Sequence, residues 1–176
     1  QGNLEPRFTC NVLINTREEA FKVLKDFASV FRSIVYYGLG RVNVAMDKPR
    51  DEVAQFNNAN VLEGNFKYSS TSMKTIPTVC LVRYNDKDNF YKPAIEYVEN
   101  TEGIRRYGVR EKEVTAFACT SRAQAIRLGR WILSTEMQQT ETISYTAGPE
   151  AMLLRPGDIV KVVDTNRSDE VYAGRA

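Results

Sequence analysis

The 176-residue sequence predicts an α+β fold rich in strands, with two strand-helix-strand units flanking a barrel- or sandwich-like middle. Three observations predict it. Two stretches, TREEAFKVLKDFASVFRS and RAQAIRLGRWILSTEM, place apolar residues with helical period. Most other apolar residues fall in short alternating or β-branched runs. Between those runs lie turns rich in glycine, proline and asparagine.

Taken in order, Phe8 to Ile14 alternates as a first strand and stops at Asn15-Thr16. Thr16 reads as an N-cap and Glu19 as its partner in a capping box, opening a helix that gathers Ala20, Val23, Leu24, Phe27, Ala28, Val30 and Phe31 on one side. IVYYGLGRVNVAMD then reads as two strands meeting in a tight hairpin near Gly38-Leu39-Gly40. Pro49 and the polar run to Asn60 close this βαββ unit. Val61 to Tyr68 offers a further strand, and SSTSMK reads as loop.

From Thr78 the strands lengthen. Thr78 to Tyr84 and Ala94 to Val98 are separated by the polar turn NDKDNFYKP, and Asn100 to Tyr107 reads as a polar turn or short helix. Glu113 to Cys119 is another strand. Ser121 with Gln124 makes a second capping box ahead of the long helix, whose buried stripe is Ala125, Leu128, Gly129 and Ile132, flanked by Ile126 and Leu133. A glycine inside a helix costs ~1 kcal/mol relative to alanine, so Gly129 implies close approach of a neighbouring element. Thr140 to Thr146 alternates as a strand. Pro156 and Gly157 suit the second and third positions of a type II turn over Arg155 to Asp158, and Ile159 to Val163 supplies the last strand. The expected organisation is a tag remnant at residues 1–3, a first βαββ unit at 4–76, and a second β-rich unit with one long helix at 77–176. The two helix-strand units form a weak internal pseudo-repeat, and the lobes are expected to pack as one segment.

The composition is that of a globular chain, 43% hydrophobic and 26% charged. A formal charge of +2 does not advertise nucleic acid or an anionic membrane. No apolar run approaches the ~20 residues of a membrane-spanning helix, and there is no leader pattern, so a soluble piece without export signal is expected. Cys10, Cys80 and Cys119 each lie in an apolar, strand-like run and read as buried, reduced thiols. There is no histidine and no paired cysteine spacing, so neither a metal nor a cofactor is expected, and most nucleophile-base arrangements are excluded.

Each remaining motif has a plain reading. Glu96, Glu99, Glu102, Glu111 and Glu113 could suggest the carboxylate pair of a glycosidase, but Glu96 lies among Ile95, Tyr97 and Val98 and is expected to point outward, as part of a solvated face. Arg105, Arg106, Arg110, Arg122, Arg127 and Arg130, with Tyr107 and Trp131 nearby, make the second half locally basic. Surface arginines or a protein interface account for them better than a phosphate backbone, and Arg127, Arg130 and Trp131 are the candidate interface. YYGLGR contains a GxG with no third glycine and no helix after it. It is a turn, not a dinucleotide fingerprint.

The order of RFTCNVLINTREEAFKVLKDFASVFRSIVYY, RYGVREKEVTAFACTSRAQAIRLGRWIL, TETISYTAG and LRPGDIVKVVD resembles the host-specificity, or tip attachment, protein J family of lambda-like phage tails, with CTSRAQAIRLGRWIL and RPGDIV the most specific portions. The resemblance covers nearly the whole chain. It implies a structural hub segment of a phage or prophage tail tip, similar to baseplate hub domains and cut from a longer protein. No catalytic residues, cofactor or metal come with it. Implied partners are other tail-tip proteins and flanking parts of the same chain, with a homotrimer in the full-length protein and neither membrane insertion nor specific nucleic-acid binding. The implied location is the virion tail tip, after synthesis in the bacterial cytoplasm. The alternatives are a host-surface carbohydrate- or protein-binding module, which calls for an aromatic-lined cleft, and a hydrolase, which calls for two carboxylates facing each other across a pocket.

Overall fold

A computed structural model describes residues 5–15, 17–167 and 171–176. Over these residues the fold is α+β and rich in strands, as its sequence predicts. The helices are α1 (Ala20–Val30), α2 (Thr101–Tyr107) and α3 (Arg122–Gln138). The strands are β1 (Ser33–Gly38), β2 (Arg41–Met46), β3 (Glu52–Asn57), β4 (Lys67–Ser70), β5 (Val79–Asp86), β6 (Lys92–Glu99), β7 (Glu111–Thr115), β8 (Glu141–Ser144), β9 (Ile159–Val163) and β10 (Val171–Arg175). They gather into two compact units, Gln1–Phe31 with Thr71–Thr140 and Arg32–Ser70 with Glu141–Ala176. The units interleave along the chain, whereas local periodicity suggested a single division after residue 76. The physical reason lies in the second unit, whose strands find partners about a hundred residues away.

In the first unit, β5 is the central strand of a three-stranded sheet, antiparallel to β6 and parallel to β7. Cys80, Val82 and Tyr84 alternate onto the face that α3 covers, where they are joined by Val98, Ala116, Cys119, Ala125 and Leu133. The helix lies so close that a Cβ on Gly129 would stand 2.8 Å from Val98 Cγ2 and 3.1 Å from Val82 Cγ2. Only glycine permits this approach without displacing the valines. Beside the sheet, Asn100 caps α2 by accepting from the Gly103 N–H at 2.9 Å. Buried Thr78 ties the ends of β6 and β7 together, since its hydroxyl donates to Gly108 O at 2.8 Å and accepts from Arg110 N–H at 2.9 Å, while its carbonyl accepts from Asn100 N–H.

In the second unit, β9 is central between parallel β3 and antiparallel β10. Val160 and Val162 share a face with Ala54 and Phe56, and Tyr145 closes over Phe56 at 5.0 Å and Phe66 at 5.4 Å between ring centres. The β4–β8 pair and the β1–β2 hairpin complete the unit. Gly157 sits at φ +92 in the turn before β9, where Asp158 N–H donates to Arg155 O at 3.0 Å. Its missing side chain also makes room for the hairpin: a Cβ there would meet the Ala45 Cβ at 2.8 Å.

Several local expectations are corrected. Phe8 to Ile14 forms no strand, and residues 8–15 have no regular secondary structure. β7 covers Glu111–Thr115 in place of Glu113 to Cys119, because the chain turns at Ala118 with φ +52. The polar run after Pro49 contains β3, whose Phe56 is buried and whose polar composition conceals a strand with a distant partner, and the tail contains β10, which pairs with the preceding strand β9.

Candidate functional site

The expected interface on α3 is divided by the structure. Arg130 is exposed, while Arg127 and Trp131 are half-buried. Arg127 reaches the chain's own N-terminal segment, with Nη2 donating to Pro6 O at 3.4 Å and Nη1 standing 3.8 Å from Glu5 Oε2. That segment is held as a strap. Gln124 pairs with the Thr9 backbone as a neighbouring strand would, its Oε1 accepting from Thr9 N–H at 3.0 Å and its Nε2 donating to Thr9 O at 3.0 Å. Asn11 N–H donates to Ala118 O at 3.0 Å, and its side-chain amide donates to Thr120 Oγ1 at 2.7 Å.

Gln124 is therefore engaged by the strap and not by the helix start. Ser121 occupies the N-cap position of α3, and its carbonyl accepts from Ala125 N–H, but its side chain makes no capping bond. Glu19 is itself the N-cap residue of α1, three positions earlier than a capping box requires, and it too makes no side-chain cap bond. Thr16 lies outside the described residues. Pro156 and Gly157 lie in the turn that receives the hairpin.

Three of the five candidate carboxylates are paired with arginines. Glu96 points to the helix side of its sheet, opposite to expectation, because the pleat places it with Ala94 and Val98. There it accepts from Arg122 Nε at 2.7 Å, which raises the Arg122 pKa. Glu113 pairs with Arg83 and Glu102 with Arg106. Among the described residues no group of three His, Cys, Asp or Glu side chains could hold a metal ion, and no helix is long and apolar enough to cross a membrane. Cys80 and Cys119 are buried, and burial pushes both thiols up; Cys10, expected to be buried, is exposed on the strap.

The same pleat leaves an apolar face open. Leu81, Ile95 and Tyr97 share the sheet face away from α3, and Ile95 and Tyr97 remain 56% and 53% exposed. On the hairpin, the register Val35↔Val44 and Tyr37↔Val42 puts Val35, Tyr37, Val42, Val44 and Met46 on one face, with Tyr37 71% and Val44 53% exposed. The opposite hairpin face, through Ala45 and Ile34, is the one that meets the turn at Gly157. In the second unit, the carboxylate of buried Asp164 accepts from Asn58 Nδ2 at 2.9 Å and Tyr68 OH at 2.8 Å, and these bonds hold its pKa below the usual carboxylate range.

Hydrogen-bonded polar nodes such as Thr78 and Asp164 thus lie inside, and apolar sheet residues such as Tyr37, Val44, Ile95 and Tyr97 stand outside. A family model described as "Putative phage tail protein" matches residues 19–174. The chain belongs to this family of phage tail proteins. It is 35% identical to the tip attachment protein J of Escherichia phage SECphi27 over 171 residues, which is 97% of this chain and 14% of that protein. It is 33% identical to the tip attachment protein J of Escherichia phage SECphi4 over 177 residues, 99% of this chain and 16% of that one. This phage tail family member thus spans about a seventh of the curated relatives' length. A solved structure, the prophage tail protein gp18 from Listeria monocytogenes EGD-e, matches with a TM-score of 0.44 and 13% identity over 89% of this chain and 46% of that one.

Sequence reasoning missed the strap and the open sheet face. The alternation in IVYYGLGRVNVAM was a legible signal for the hairpin face. Nothing local signalled that Gln124 would bind backbone 115 residues away.

Proposed function

We propose that this chain is a structural segment of a phage or prophage tail tip, acting through assembly in tail construction and host attachment and not through catalysis. The observation that carries the reading is the match, over 97% of the chain, to a tip attachment protein J. Its supports are the engaged carboxylates and the apolar sheet faces, since assembly needs rigid shape and surface to cover, while acid-base chemistry needs convergent titratable groups. The partners in this reading are other tail-tip proteins and flanking parts of its own longer chain, with a trimer of the full-length protein; the place of action is the virion tail tip, after synthesis in the bacterial cytoplasm.

The test is immuno-electron microscopy of particles from the encoding phage or prophage, using antibody raised against these 176 residues. Label confined to the tail tip is the expected result. Label on the head, along the tail tube or absent from assembled tails overturns the reading.

A further inference from the structure

The N-terminal strap is held chiefly through its main chain. Gln124 takes both the N–H and the carbonyl of Thr9, Ala118 O accepts from Asn11 N–H, and Arg127 Nη2 donates to Pro6 O. Two short side chains add to this, with Thr9 Oγ1 donating to Gln124 Oε1 at 2.6 Å and Asn11 Nδ2 donating to Thr120 Oγ1. Gln124 and Thr120 are buried, so with Ala118 O they form a slot shaped for one extended segment, and the strap fills it. Strap and slot lie in the same unit. Nothing in the bonding requires that both belong to one chain, since the strap of another copy offers the same atoms.

The residues that follow the strap supply a second observation. Val12 to Asn15 are exposed and have no regular secondary structure, although FTCNVLI alternates as a strand does. Thr9 and Asn11 face the slot, while Cys10, Val12 and Ile14, on the other side of that alternation, stand in solvent, and Leu13 is 85% exposed. Three consecutive apolar residues are thus left uncovered between the strap and α1. We infer that the strap is an exchangeable segment: residues 5–11 of one copy seat in the Gln124 slot of another, and Val12 to Asn15 are the hinge.

The occupant is a second copy because the slot already holds this very segment, and every bond of the closed form is kept when the segment comes from a neighbour. The hinge gains by the exchange. In crossing it spans from one body to the next, which sets Val12, Leu13 and Ile14 between two proteins in place of solvent. Each copy gives one strap and receives one, so the exchange closes a pair or a ring. What opposes it is tethering, since a strap on its own short linker is presented to its own slot at an effective concentration in the mM range. Exchange therefore competes where copies are concentrated to that level or are held side by side. This inference goes beyond the tail reading and does not rest on it.

The experiment is sedimentation equilibrium of the 176-residue chain from about 10 µM to about 1 mM, the range set by the tether. Deleting Val12 to Asn15 shortens the tether by about 13 Å of extended chain, which strains the closed form and leaves a neighbour's slot open to the strap. Thr9→Pro removes the N–H that Gln124 Oε1 accepts, and Gln124→Ala removes the slot side of the same pairing. Circular dichroism and the melting temperature establish that each variant is folded, and for a deletion that melts early, removal of Leu13 and Ile14 alone replaces it. The hinge-deleted chain is expected to associate at about tenfold lower concentration than wild type or less, with the Thr9 amide still protected from hydrogen exchange, and adding Thr9→Pro or Gln124→Ala to it should weaken association by about tenfold or more. A folded hinge-deleted chain that stays monomeric at about 1 mM, or one whose association is unchanged by both Thr9→Pro and Gln124→Ala, overturns the inference. Tail-tip labelling is independent of these outcomes, so failure here leaves the tail reading standing, and absent label with intact exchange removes only the tail reading.

Discussion

Gly157 is held by two constraints at once, a positive φ and the Ala45 Cβ. Gly157→Ala should therefore cost about 2 kcal/mol or more, from αL strain plus overpacking, read as a lower denaturation midpoint at constant slope. Asp164 makes a pH prediction. Its folded pKa is lowered by the Asn58 and Tyr68 hydrogen bonds, so the stability it contributes is complete above the unfolded value near ~4 and is lost as pH falls through the folded value. Asp164→Ala should cost about 2 kcal/mol at pH 7 by stranding the Tyr68 hydroxyl and the Asn58 amide, and should flatten the acid limb of a stability-pH titration. The thiols separate in the same way. Cys10 alone should react with an aromatic disulfide reagent in native protein, and Cys80 and Cys119 only after denaturant is added.

At the scale of elements, the strap and the long helix depend on one amide. Gln124→Ala should release the backbone of Thr9 and speed hydrogen exchange and proteolysis across residues 5–11 while the α3 amides stay protected, because Gln124 makes no bond that starts the helix. Helices and hairpin strands were legible in the sequence since their signals are local: the 3.6 period of α3, the alternation in β1 and β2, the glycine that α3 needs at Gly129. β3 was not legible, because it is a polar-looking strand made by its distant partner β9, and β10 was not, because VYAGR is five residues with a glycine and gives no alternation to read. Gln124's part in the second capping box was misread for a related reason. Ser121-x-x-Gln124 fits a capping box by spacing, yet Thr9 offers Gln124 both a donor and an acceptor, and this tertiary pairing displaces the local one. For the candidate surface, the sequence pointed to Arg127, which the strap already engages, and assigned Ile95 and Tyr97 to the covered side of β6 when the pleat places Glu96 there.

For the whole molecule, interleaving determines which pieces can stand alone. A fragment of residues 4–76 holds β3 and β4 without β9 and β8, and one of residues 77–176 holds the reverse. The 4–76 fragment should therefore lack a cooperative melting transition, while a cut in the exposed turn at residues 88–91, which leaves both fragments free to pair along β5 and β6, should be tolerated when they are expressed together. Recovery of native-like circular dichroism from residues 4–76 alone would count against this division.

The β3–β9 pairing also sets a clock. Glu52 registers with Ile159, so at the usual pace of translation, about 5–20 residues per second, β3 leaves the ribosome roughly 5–20 s before its neighbour exists. Strands β5, β6 and β7 wait only a fraction of that time, since they lie within Val79 to Thr115. During synthesis Phe56 and the edges of β3 and β4 are thus exposed while the first sheet is already complete. The nascent chain passes through an interval of aggregation hazard whose length is set by the distance from Glu52 to Ile159, and slowing translation between these two strands should lengthen it and lower the yield of soluble protein.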